Sequence, residues 1–132
     1  PTKQQKNIYR QTVNWLDAGI NAVKPGVTTT DVASSWPAVE DFGFGSFGNE
    51  AEAFALQFGH GVGLALWEKP VISRLFIDTP YEIREGMVFA LENYCGSSDG
   101  MDGARIEDQV VVTENGCRNL FQFPRNELIA CW

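Results

Sequence analysis

The chain has 132 residues, 44% of them hydrophobic and 12% aromatic, which suits one domain with its own core and excludes a disordered or fibrous protein. Its formal net charge is −7, and no Lys/Arg cluster exists to displace counterions, so nucleic acid is not an expected partner. No run of 18 apolar residues is present to span a membrane, and residues 1–25 are too polar for a signal peptide.

Tyr9, Val13, Leu16, Ile20 and Val23 recur at helical spacing and predict one apolar stripe on an amphipathic helix. Thr2 is the candidate N-cap, and Lys24-Pro25-Gly26 ends the helix. Thr28–Thr30 then supply a cap for a second helix, with Asp31 favourable in its first turn and Val32, Trp36 and Val39 on its buried face. Pro37 inside that stretch predicts a kink or a late start. Glycines at 43, 45 and 48 mark a turning loop, and Asn49 could cap a short helix across Glu50–Phe58.

From Gly59 the pattern changes to strands. His60–Leu66 mixes glycines with apolar residues, and Gly61 and Gly63 would let neighbouring groups approach the backbone closely. A loop ending at Pro80 comes next. Met87–Tyr94 is an apolar run interrupted by Glu92, Gly96–Gly103 is a polar turn, and Ala104–Thr113 is strongly β-forming. Glu114-Asn115-Gly116 is a hairpin signal, with Cys117–Phe123 as the returning strand. Helices come first and strands second, so the class is α+β: mainly helical over 1–58 and mainly strands over 59–123. Cys95, Cys117 and Cys131 share no Cys-x-x-Cys spacing and read as reduced thiols of a cytoplasmic protein.

The chemistry concentrates on three residues. His60 is the only histidine, and Glu92 and Glu107 lie in strand-like settings after it. One imidazole and two carboxylates form a ligand set for Zn²⁺, Mn²⁺, Fe²⁺ or Co²⁺. The spacings are too long for one helix face, so the three can meet only through a sheet. A lone histidine is more often a satisfied structural residue than a ligand. Against that, a carboxylate in an apolar strand costs several kcal/mol unless paired, and two nearby carboxylates call for a cation between them. Arg105 could be that cation in a purely structural ion pair; a metal would also account for His60. Asp108 reads as a hydrogen-bonded strand residue rather than a ligand.

Three segments carry a family resemblance: G-H-G-x-G followed by E-x-P at 59–70, E-G-M-V-F-x-x-E at 85–92, and R-I-E-D-x-V-V-V-T-x-x-G at 105–116. In this order they resemble the pita-bread family of methionine and Xaa-Pro aminopeptidases, prolidases and creatinases, and KPGVTTTDV at 24–32 is similar to its helix-turn-helix. The resemblance implies helices on a curved, mostly antiparallel sheet. It aligns His60, Glu92 and Glu107 with three of five metal ligands, Glu107 being the one that bridges two ions. It gives His60 and Glu92 catalytic positions, with Glu92 helping to activate water, and makes Arg105 a residue orienting Glu92 or Glu107.

The family's other two ligands are aspartates on strands before the first helix. Residues 1–10 resemble the family's segment just after those strands, so the chain is expected to be the C-terminal part of a pita-bread catalytic domain. The substrate-orienting histidines of proline-specific members fall at Leu56 and Trp67, which with Glu68 are the substrate-pocket candidates. The implied function is a metal-dependent hydrolase of a small peptide-like or amino-acid-like substrate. A lyase on the same scaffold (similar to dimethylsulfoniopropionate lyase) and a non-catalytic binding module remain alternatives. The implied cofactor is divalent Mn, Zn, Co or Fe, up to two ions in a complete enzyme and one or none here. Missing strands should leave a free edge on the strand of His60 or Glu107, with the Tyr9–Val23 stripe and Val88, Leu91 and Val111 supplying apolar surface and Trp15 and Trp36 as anchors. A homo-oligomer, or pairing with a separate N-terminal half, is then expected.

Overall fold

The structure is a computed structural model that describes residues 1–37, 57–97 and 100–131. Helix α1 (Lys3–Ala22) starts at a capping box. The Thr2 hydroxyl accepts from the Gln5 amide, and the Gln5 side chain accepts from the Thr2 amide, so two orphan donors of the first turn are satisfied. Its buried face is Ile8, Thr12, Val13, Leu16 and Gly19, with Tyr9 and Ile20 at the margin. The expected stripe is therefore rotated by about one residue. Thr12 can be buried because its hydroxyl donates to the Ile8 carbonyl at 2.9 Å. Gly19 is required by packing: a Cβ there would lie 1.9 Å from the Trp36 ring.

Helix α2 (Thr29–Ala33) is a single turn, capped by Thr28 and Asp31 in a second capping box. Pro37 comes after it, and Trp36 packs inward, stacked on Phe58 at 4.7 Å between centroids. The longer second helix expected through Val39 is thus not formed as far as Pro37. Val39, the glycine loop and most of the helix expected over Glu50–Phe58 lie outside the described residues, and Gln57 and Phe58 belong to a strand.

The described residues then form five antiparallel strands: β1 (Gln57–Gly61), β2 (Glu68–Ser73), β3 (Val88–Gly96), β4 (Gly103–Thr113) and β5 (Gly116–Asn119), in the order β2-β1-β3-β4-β5. Sequence patterning missed β2. It contains Pro70, which is tolerated at a sheet edge because it has no N–H to donate, and β2 is an edge. The strand from His60 ends at Gly61, and residues 62–67 bend away. β5 stops at Asn119 instead of reaching Phe123.

One face of the sheet carries Ile72, Phe89, Leu91, Val110 and Val112 against Leu16, Val23, Val32 and Trp36 of the helical layer. Burial of this apolar set is the main stabilising term of the fold. It also overturns two expectations. The strands of His60 and Glu107 are interior, since β1 lies between β2 and β3 and β4 between β3 and β5. Leu91, expected on the exposed apolar surface, is 0% exposed because it belongs to the core, whereas Trp36, at 2%, is buried as expected of the second helix's inner face and is no surface anchor.

Candidate metal and catalytic site

The register places the three candidate residues on the face opposite the core. His60 on β1 pairs with Ala90 on β3, and Glu92 lies two residues further along the same strand. Glu92 in turn pairs directly with Glu107 on β4. Side chains alternate along a strand, so His60, Glu92, Glu107 and Arg105 share one face. β1 can be threaded so closely because of its glycines: a Cβ at Gly61 would meet the Lys69 carbonyl oxygen at 2.8 Å.

His60 and Glu92 are both buried, at 6% and 5% exposure. Nδ1 of His60 lies 3.0 Å from the Gly61 carbonyl oxygen, which can only accept; the ring therefore carries its proton on Nδ1 in the neutral form. Nε2, with its lone pair, faces Oε1 of Glu92 at 3.9 Å. That separation is too long for a hydrogen bond. It suits two ligands of one ion, which stand roughly 3–4 Å apart when each bond is about 2.0–2.2 Å.

Glu107 is exposed, directly across from the buried Glu92. Like charges opposed across a strand pair repel. Arg105 relieves this from the diagonal position: its guanidinium binds Oε2 of Glu92. Of the two glutamates that Arg105 was expected to orient, the structure gives Glu92 as its partner. Among the described residues, no three His, Cys, Asp or Glu side chains are grouped closely enough to hold a metal ion. The donor types and the His60–Glu92 spacing fit a divalent cation, and Glu107 lies on the same face.

Trp67 stands half exposed, its ring centroid 6.0 Å from that of His60. The Glu68 carboxylate accepts from the Ala65 amide at 2.6 Å and so closes the 62–67 bend. Leu56 lies outside the described residues. Asp108, expected to be hydrogen-bonded, is on the core face, where it receives Asn119 Nδ2 at 3.2 Å and pairs with Arg125. Arg125 also holds Asp17 of α1, pinning the C-terminal segment across helix and sheet. No sequence pattern marked Arg125, because its partners are 17 and 108 in different elements.

The model of metallopeptidase family M24 matches residues 1–114. The chain belongs to this family. It is 33% identical over 129 residues to an Xaa-Pro dipeptidase of Pyrococcus furiosus, covering 97% of this chain and 34% of that protein. An Xaa-Pro dipeptidase of Lactobacillus delbrueckii is 31% identical, with 88% of this chain and 29% of the relative covered. Among solved structures, dipeptidase PepE of Mycobacterium ulcerans superposes with a TM-score of 0.73 at 30% identity, over 97% of this chain and 32% of that one. The prolidase of Pyrococcus horikoshii gives 0.72 at 27% identity, over 97% and 34%. The M24 chain thus has part of the pita-bread fold and spans about a third of the length of these relatives. None of the described helices is long and apolar enough to cross a membrane.

Proposed function

We propose that the chain is the C-terminal part of a metal-dependent hydrolase of the Xaa-Pro dipeptidase type, with His60, Glu92 and Glu107 as its cation ligands. The observation that carries this reading is the buried Glu92 carboxylate, set 3.9 Å from the lone-pair nitrogen of His60 and opposite Glu107 on one face. A divalent cation (Mn²⁺, Zn²⁺, Co²⁺ or Fe²⁺) held there would supply a Lewis acid and lower the pKa of water. Glu92, a buried carboxylate beside it, would take a proton from such a water. The Gly61 carbonyl fixes the His60 ring so that Nε2, not Nδ1, is presented. Trp67, beside His60, offers an apolar wall for a peptide-like substrate. The names of the relatives favour hydrolysis over the lyase alternative.

Three ligands from one third of a relative's length make an incomplete site. Calorimetric titration with Mn²⁺ should find one weak site, and an Xaa-Pro dipeptide assay should find negligible turnover by the isolated chain. Two tight sites would contradict this. Loss of binding in H60A, E92Q and E107Q alike would support the ligand set, and unchanged binding in any of them would remove that residue from it.

A further inference from the structure

We propose that Arg105 and a divalent cation compete for the Glu92 carboxylate, so that Arg105 sets how tightly this chain binds metal. The inference rests on the metal site proposed above and goes beyond it, because an arginine that only orients a ligand would strengthen binding. Glu92 is 5% exposed, and a buried carboxylate is tolerated only with a compensating positive charge. His60 stands 3.9 Å from Oε1, too far for a hydrogen bond, with its Nδ1 turned to the Gly61 carbonyl. Arg105 brings a permanent positive charge to Oε2.

The Arg105 side chain is itself 67% exposed, although its guanidinium contacts Glu92. It has somewhere to go. Released from Glu92, it regains water at little cost, because an exposed charge is already largely hydrated. The register explains the reach: Arg105 opposes Tyr94, which puts it diagonal to Glu92, a separation long side chains bridge. A guanidinium and a metal ion on the same carboxylate repel each other in a site of low dielectric. Binding free energies are reciprocal, so whatever Arg105 gains from Glu92 is subtracted from the affinity for the cation. Removing Arg105 also takes its charge away from Glu92 and Glu107, opposed across the strand pair, which increases the demand for a cation.

The test titrates the 132-residue chain, R105Q and R105K with Mn²⁺ by calorimetry at one ionic strength. R105Q should bind at least about fivefold more tightly than the unmodified chain, the lower end of ordinary coupling between two ligands. R105K should also bind more tightly, by less, since lysine keeps the charge but not the planar guanidinium. In the E92Q background the difference between Arg and Gln at 105 should vanish. Thermal unfolding provides the second readout: Mn²⁺ should raise the midpoint of R105Q by more than it raises that of the unmodified chain. If R105Q does not fold without metal, R105K carries the comparison. Equal or weaker Mn²⁺ binding in both variants overturns the competition while leaving the metal site standing. Absence of Mn²⁺ binding in every form overturns the metal site and the competition with it.

Discussion

Glu92 and Arg105 are an unequal pair, and the inequality has measurable consequences for stability. The carboxylate is buried and the guanidinium is mostly in water, with side-chain exposures of 7% and 67%. Deleting the buried charge by E92Q leaves an arginine that solvent can take up, so stability should change by no more than about 1 kcal/mol. Deleting the exposed charge by R105Q removes a charged partner from a buried carboxylate and should cost about 1–3 kcal/mol without metal. Urea unfolding of both variants checks this; equal losses would contradict it. Tyr94, next along the same face, is pushed up to about 12 by burial. Its folded value lies above the unfolded one near 10, so its contribution is fully present below pH 10 and is lost as pH rises toward 12. Y94F should therefore flatten the alkaline limb of the stability profile between about pH 10 and 12.

At the scale of elements, the helices carry their own tests. A methyl group at Gly19 would enter the Trp36 ring, so G19A should destabilise the chain by roughly 1–3 kcal/mol despite alanine's better helix propensity. A neutral or stabilising G19A in thermal melts would mean that Trp36 is not seated on α1. The Asp31 carboxyl lies below its usual range because it accepts hydrogen bonds from the Thr28 backbone and hydroxyl. Its capping contribution is thus present above about pH 4 and is lost as pH falls through that lowered value, and D31N should make stability less steep there. The sequence showed these helix starts because Thr2 and Thr28 are local signals, each read over four residues. It also showed the turn at Glu114-Asn115 and the strands around Glu92 and Glu107. It did not show β2, whose Pro70 argues against any strand until its edge position is known. It misplaced Leu91 for a related reason: which face of a strand is covered depends on how α1 crosses the sheet. In the site, His60, Glu92 and Glu107 were legible as chemistry, but the choice of Glu92 as partner of Arg105 is set by the diagonal register of β3 and β4.

In the whole molecule, apolar residues collect near both sheet edges. Leu64, Leu66, Leu75 and Phe76 are exposed on the β2 side, and Leu120, Phe121 and Phe123 come after β5. Exposed patches of this kind recruit partners, and the chain spans a third of its relatives' length. Sedimentation at micromolar concentration should show self-association, and a monomer throughout would contradict it. On one face of the sheet a single imidazole faces the Glu92 carboxylate, with Glu107 on the neighbouring strand. Because His60 is the only histidine, its ring protons are unique signals in an NMR spectrum. Adding substoichiometric Mn²⁺ should broaden the His60 ring and the neighbouring residues of β3 and β4 first, and E92Q should abolish the effect. Broadening that leaves His60 sharp while affecting other acidic surfaces would contradict the site.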